Sequence, residues 1–121
     1  MEKWNVDIGL VVSWMARLDK ESQNQVKAAL NLLESEGPQL GRPMVDTIRG
    51  SKHNNMKELR PGSVGRSELR VLFVFDPDRK AIMLIAGDKS GQWHKWYRTS
   101  IRKADALYDA HLFNRQWEQE K

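Results

Sequence analysis

The sequence contains no cysteine and no long hydrophobic run, and these absences limit what the protein can be. Without cysteine, neither a disulfide framework nor a thiolate metal site can form. No apolar run reaches the roughly 18 residues that a membrane-spanning helix needs, and the N-terminal stretch MEKWNVDIG lacks the charged-then-apolar pattern of a secretory signal. We therefore expect a cytoplasmic protein that does not associate with membranes.

Acidic residues are scarce in the middle of the chain. Residues 49–103 hold 13 basic and 5 acidic side chains, a net charge of +8, whereas residues 1–48 (5 basic, 7 acidic) and 104–121 (2 basic, 4 acidic) each carry −2. A basic middle between mildly acidic ends favours a localised anion-binding face. The alternative is a soluble domain with unevenly distributed surface charge. The length of 121 residues and the 40% hydrophobic content suit one domain with a modest core.

The first third of the chain predicts a strand followed by two helices. Trp4 to Ile8 alternates apolar and polar residues, which is typical of a half-buried strand. Leu10 to Leu18 then changes to helical spacing, and a second helix is expected to begin at the capping residue Asp19 and to end at Gly37. The following stretch is interpreted mostly as loop, in which Val45 to Ile48 forms either a short helical turn or a bridge.

The remainder predicts three strands and a final helix. Met56 to Arg60, the apolar Glu68 to Phe75 and Lys80 to Ala86 are interpreted as an antiparallel meander. A mobile loop over Gly87 to Gly91 then leads into a helix that ends near Leu112. This order predicts an α+β fold, a single domain over 1–112 with a tail over 113–121. The helical hairpin is expected to pack on one sheet face, leaving the other face for binding.

Arg70 is the first candidate functional residue, because it interrupts the most apolar predicted strand. A guanidinium fork matches two phosphate oxygens, so we expect Arg70 to line a basic cleft that holds RNA phosphates. The alternative is an ion pair with Glu58 on the neighbouring strand. Lys57 and Arg60 lie on opposite faces of that neighbouring strand, so at most one of them is expected to share the cleft with Arg70.

A second group of candidates follows the last strand. Lys89 lies in a glycine-flanked loop from which its side chain can contact a phosphate. Trp93, Trp96 and Tyr97 lie among Lys95 and other cations, a pattern that allows stacking on unpaired bases. For Trp96 the alternative, that the ring anchors the last helix to the sheet, is favoured.

The chain resembles the HigB-like, phage-derived branch of the RelE/ParE toxin superfamily. The resemblance covers the runs GRPMVDTIRGSKHNNMKELRPG, RVLFVFDPDRKAIMLIAGDKSGQWHKWY and IRKADALYDAHL. It implies a RelE-like fold and a toxin that a helix-turn-helix antitoxin neutralises. It also implies metal-independent, cofactor-free cleavage of mRNA on the bacterial ribosome, in which the 2′-hydroxyl attacks the adjacent phosphate. Two alternatives stay open, namely a ParE-like gyrase poison that cuts no RNA and a non-catalytic RNA-binding module.

The resemblance also implies roles for particular residues. Arg70 matches the arginine that contacts the scissile phosphate, Lys89 matches the basic loop position, and Tyr97 occupies the place of a C-terminal catalytic tyrosine. Glu58 stands where a lysine is expected. The complete set of candidate catalytic residues is Arg70, Lys89, Tyr97, Lys57, Arg60, His53 and His94. The candidate RNA-binding residues are Arg49, Lys52, Arg66, Trp93, Lys95 and Arg98. Neighbouring cations are expected to depress the pKa of a lysine or tyrosine in such a site, and His111 is expected to be structural.

Overall fold

The computed structural model describes residues 3–120, which form five strands and three α-helices. The strands are β1 (Asn5–Asp7), β2 (Val45–Thr47), β3 (Lys57–Leu59), β4 (Leu69–Phe75) and β5 (Lys80–Asp88). The helices are α1 (Val12–Ala16), α2 (Lys20–Glu36) and α3 (Trp93–Glu120), and a short 3₁₀ turn (Gly37–Gln39) follows α2. The predicted α+β architecture is confirmed.

The five strands make one sheet in the order β1-β5-β4-β3-β2. The predicted meander is confirmed as β3, β4 and β5, which pair antiparallel, and β1 joins the far edge parallel to β5. The segment for which the sequence left a helical turn or a bridge open is strand β2, in which Val45 pairs with Leu59 and Thr47 with Lys57. The run from Val45 to Ile48 has apolar residues only at its two ends, so it lacks the alternation that would indicate a strand.

Both faces of the sheet are covered, so the prediction that one face stays free for binding is wrong. On one face, α1 buries Met15 and α2 buries Val26 and Leu33 in the core cluster that contains Phe73. On the other face, α3 buries Ala104 and Tyr108 against Leu72 and its neighbours. The apolar stripe of α3 accounts for this, because an amphipathic helix is stable only when its apolar side is packed. A binding site on this face must therefore lie beside the beginning of α3.

Helix α3 is longer than predicted and leaves less room for loops. It runs unbroken to Glu120, so the expected end near Leu112 is wrong. Arg115 fixes this last part of α3 by donating two hydrogen bonds to the Asp78 carboxylate, at 2.7 and 3.0 Å. Strand β5 likewise continues to Asp88 through part of the expected mobile loop. The division into a domain over 1–112 and a tail stays a prediction, and no helix within residues 3–120 is long and apolar enough to cross a membrane.

The ends of α2 are formed as predicted. The Asp19 carboxylate accepts a hydrogen bond from the Ser22 backbone N–H, which satisfies a donor that the first turn leaves free. Gly37 closes the other end with a positive φ of 58°. The Trp4 indole lies directly over Gly37, where a β-carbon would collide with the ring. The turn therefore needs glycine for both its backbone and its packing.

We expect Gly37→Ala to lower the free energy of unfolding by about 2 kcal/mol, because alanine is strained at positive φ and its methyl group displaces Trp4. Urea denaturation followed by circular dichroism measures the change. Gly41→Ala is the matched control, since nothing lies within 4 Å of a β-carbon at that position. An equal stability loss in both variants would contradict this explanation.

Candidate active site

A buried carboxylate, Glu58, is the centre of the site. In β3 it lies opposite Leu72 of β4, on the sheet face that α3 covers, and only 2% of the residue is exposed. Its Oε1 accepts hydrogen bonds from Arg60 Nε and from the Tyr97 hydroxyl, each at 2.9 Å. The same oxygen lies 3.0 Å from Arg70 Nε. Side chains from β4, from α3 and from the residue that follows β3 therefore meet at one carboxylate oxygen.

The two arginines make burial of the Glu58 carboxylate possible, and their combined positive charge exceeds the charge of that carboxylate. A buried carboxylate without such partners would be strongly unfavourable. Arg70 is held further by a 2.8 Å hydrogen bond from Nη1 to the Leu69 carbonyl, while its buried Nε makes no well-directed hydrogen bond. Arg60 also contacts Asp46 at 3.3 Å. The Arg70 and Arg60 side chains remain 14% and 29% exposed, so an anion from solvent can contact them.

Lys89 completes the site from the turn after β5. It is 98% buried, with 2% exposure, and its Nζ lies 3.2 Å from the centroid of the Trp93 ring and 5.2 Å from that of Tyr97. Trp93 is held in turn by a 2.9 Å hydrogen bond from its indole N–H to the Glu68 carboxylate. Burial, followed by repulsion from Arg70, lowers the pKa of Lys89. This ammonium group therefore gives up its proton more readily than a solvated lysine.

The two expected pKa shifts have different outcomes. The Lys89 pKa is lowered, as expected, although burial contributes more than the neighbouring cation. The prediction that cations depress the tyrosine pKa is wrong for Tyr97. Burial and the hydrogen bond to the Glu58 carboxylate raise the pKa of Tyr97 to about 12. Tyr97 is therefore a neutral hydrogen-bond donor near neutral pH, and the anionic group of the cluster is Glu58.

Two predicted catalytic residues lie away from this cluster. Lys57 pairs with Phe73 on the opposite sheet face, and its Nζ donates a hydrogen bond to Thr47 at 3.1 Å. Of the two basic residues of this strand, it is Arg60 that joins Arg70. His53 contacts Asp109 at 2.8 Å. Asp109 lies twelve residues after Tyr97 on α3, which is about 18 Å along the helix axis.

The remaining predicted residues divide between surface and structural positions. His94, Lys95 and Arg98 are exposed on the first turns of α3, and Arg49 and Arg66 are exposed in bends and turns. Lys52 forms an ion pair with Asp109 and also holds Asp105 through its backbone N–H, so its contacts are structural. His111 bonds the buried Asp76 at 2.9 Å and is structural, as expected. Trp96 is half-buried and packs from α3 against the core between this helix and the sheet, again as expected.

Glu58 is the residue whose importance the sequence did not reveal directly. From the sequence alone, Glu58 is expected only as a possible partner of Arg70, at a position where the family resemblance implies a lysine. The contact with Arg70 is confirmed. The available signal was the alternation of the two strands, which places Glu58 and Arg70 on the same sheet face. Glu68, which orients Trp93, carried no comparable signal.

Comparison with known proteins agrees with this description. Residues 13–109 match the family model described as "Phage derived protein Gp49-like (DUF891)". Two relatives come from Mycobacterium tuberculosis H37Rv. "Putative toxin HigB2" is 55% identical over 90% of this chain, and "Putative toxin HigB3" is 47% identical over 78% of this chain and 81% of its own length. The chain spans about half the length of the first of these relatives, 54%.

The fold is shared with a solved structure. A double arginine-to-alanine mutant of the Escherichia coli toxin RelE in the free state superposes with a TM-score of 0.59. The alignment covers 84% of this chain and 96% of RelE, at 13% sequence identity, so the likeness concerns the fold alone. The chain belongs to the phage-derived Gp49-like family, which confirms the HigB-like resemblance, and it has a RelE-like fold.

Proposed function

We propose that this protein is the toxin of a type II toxin–antitoxin system and that it cleaves mRNA on the ribosome without a metal ion. The family and the HigB-type relatives support the toxin class. The observation that supports cleavage most is the cluster around Glu58, which joins two arginines, a tyrosine hydroxyl and a buried lysine. A surface that only binds RNA has no need of a buried carboxylate and a desolvated amine.

In this proposal the two arginines hold the scissile phosphate. Arg60 pairs with Asp46 as well as with Glu58, whereas Arg70 pairs with Glu58 alone among residues 3–120, so Arg70 keeps positive charge that a phosphate can neutralise. A phosphate that enters the cleft accepts hydrogen bonds from the guanidinium N–H groups that do not face Glu58 and neutralises the positive charge. The same groups then stabilise the additional negative charge of the pentacoordinate transition state.

Glu58 and Tyr97 remove the proton from the attacking 2′-hydroxyl. Because Tyr97 stays neutral, its hydroxyl oxygen can accept the substrate proton only as it passes its own proton to Glu58 along their 2.9 Å hydrogen bond. The 2′-oxygen then forms a bond to phosphorus, and the bond from phosphorus to the 5′-oxygen breaks. The products are a 2′,3′-cyclic phosphate and a free 5′-hydroxyl.

Lys89 supplies the proton for the departing 5′-oxygen. Its ammonium group lies 3.2 Å from the centroid of the Trp93 ring and 5.2 Å from that of Tyr97, and its lowered pKa favours donation. Trp93, fixed by Glu68, offers an exposed aromatic surface beside this group on which a base can stack. Lys95, Arg98, Arg49 and Arg66 are exposed and contribute salt-dependent contacts to RNA.

We expect the pH profile of the cleavage rate to have an alkaline limb, in which the rate falls as Lys89 loses its proton. The group must be protonated to act, so activity falls as pH rises through its pKa, which lies below the ordinary lysine value of 10.5. Lys89→Arg keeps the positive charge but does not release a proton in this range. It should therefore cut more slowly and lose the limb. Single-turnover cleavage, measured over the alkaline range in which ribosomal complexes stay intact, tests this, and an unchanged limb in Lys89→Arg would contradict the assignment.

The proposed partners are the bacterial ribosome with bound mRNA and a helix-turn-helix antitoxin, and the proposed location is the cytoplasm. The test of this function is a bacterial translation extract supplied with the purified protein and a reporter message. We expect cuts within the translated part of the message, and none when initiation is blocked. Intact message together with unimpaired translation would reject the proposal, and DNA damage in cells without translational arrest would indicate a gyrase poison instead.

A further inference from the structure

The solvent-facing side of α3 changes from polar to apolar halfway along the helix. Its first half carries exposed polar residues, including Lys95, Arg98 and Arg102. Its second half carries a solvent-facing apolar stripe. The stripe consists of Ala106, Ala110, Phe113 and Trp117, all of them exposed. Their spacing of i, i+4, i+7 and i+11 places them on one side of the helix. Phe113 and Trp117 are 67% and 56% exposed, which is unusual for two large rings on one helical stripe.

The stripe is self-complementary in size. Two small residues occupy its first half and two large rings its second half. When a second α3 is laid against it in the antiparallel direction, Ala106 faces Trp117 and Ala110 faces Phe113. Each ring then fits over an alanine of the other copy, as in helix pairs that pack side chains into gaps. A two-fold axis repeats both contacts, so one stripe provides both halves of the interface.

The charges beside the stripe match the same arrangement. Arg102 and Glu120 are about five helical turns apart, so they lie on the same flank of α3, at opposite ends of the stripe. Both are exposed, and neither forms an ion pair within residues 3–120. In the antiparallel pair, Arg102 of each copy lies beside Glu120 of the other. A partner helix of unrelated sequence would not require this reciprocity.

We propose that the protein forms an antiparallel homodimer through the second half of α3. The stripe lies on the outer side of the helix, whereas Tyr97 points to Glu58 from its inner side and near its beginning. The dimer therefore leaves the Glu58 cluster open. A contact between two helices is small for a protein interface, so the dimer should form in the micromolar range and dissociate on dilution.

Sedimentation velocity of the purified chain at about 1 to 200 µM, a range that brackets the affinity of a small interface, tests the proposal. We expect a concentration-dependent shift to twice the mass of one chain. Trp117→Glu should raise the dissociation constant at least about 100-fold, because the change occurs twice in the dimer. Leu32→Glu is the matched control, since Leu32 is an exposed apolar residue on α2 outside the stripe.

Exchanging the charges of Arg102 and Glu120 tests the antiparallel arrangement of the two helices. Arg102→Glu and Glu120→Arg should each weaken the dimer about tenfold, because each change brings like charges together twice. The double variant should recover the wild-type affinity to within about two-fold. Circular dichroism checks that each variant is folded. A monomer at every concentration would overturn the proposal, as would failure of the double variant to recover. A monomer that binds a different protein helix through the stripe would assign the surface to that partner.

Discussion

Arg70→Ala is expected to reduce the rate of message cleavage by about 100- to 1000-fold, the effect of removing one donor that stabilises a developing negative charge. Arg70 lies 3.0 Å from Glu58 and remains 14% exposed, so it is both oriented and accessible to a phosphate. Arg60 keeps its own hydrogen bond to Glu58 and cannot replace Arg70, since Arg60 follows β3 whereas Arg70 extends from β4. Single-turnover cleavage on ribosomes loaded with a defined message measures the loss.

Two companion variants make this prediction specific. Arg70→Lys keeps the charge but loses the planar fork, so it should recover only a small part of the rate. Lys57→Ala removes a cation from the opposite sheet face and should leave the rate within about two-fold of wild type, as expected for a surface change away from the site. Equal losses in Lys57→Ala and Arg70→Ala would mean that cleavage responds to total charge rather than to the cluster.

Glu58 should show separate effects on chemistry and on stability. Glu58→Gln keeps an oxygen that accepts hydrogen bonds from Arg60 and Tyr97 but cannot take up a proton. We expect it to fold and to cleave about 100- to 10,000-fold more slowly, the usual contribution of a general base. Glu58→Ala leaves Arg60 and Arg70 without their shared carboxylate. We expect it to lower the free energy of unfolding by about 3 kcal/mol, as removal of one member of a buried ion pair does.

Urea denaturation and single-turnover cleavage distinguish the two effects. Tyr97→Phe removes only the hydroxyl of the relay and should match Glu58→Gln in rate. The double variant should lose little more than either single one, because two members of one relay are not additive. Wild-type cleavage by Glu58→Gln would remove Glu58 from the chemistry and leave it only the role of holding the arginines.

The sequence was most informative where residues act through local geometry. Alternation in the two central strands placed Arg70 and Glu58 on one face, and their contact follows from strand pairing. The cap at Asp19 and the turn at Gly37 also depend on nearby backbone, and the structure has both. The motifs around Arg70, Lys89 and Tyr97 indicated the family, whose model matches most of the chain.

The sequence was least informative where a property depends on which elements pack together. The periodicity of α3 predicted an apolar stripe but not which sheet face the stripe would cover, so the free face was predicted wrongly. Lys89 is followed by serine and glycine, a pattern typical of an exposed turn, yet the rings of Trp93 and Tyr97 bury its side chain. The raised pKa of Tyr97 likewise depends on Glu58, which lies 39 residues earlier in the chain.

The chemistry of the cut ends tests the central claim most directly. When the purified protein acts on a message during translation, the 2′-hydroxyl mechanism predicts fragments that end in a 2′,3′-cyclic phosphate and begin with a 5′-hydroxyl. Arg70→Ala and Glu58→Gln should yield these ends at strongly reduced rates, and Lys57→Ala at the wild-type rate. Fragments with 5′-phosphate and 3′-hydroxyl ends, or a translated message that stays intact, would contradict the account.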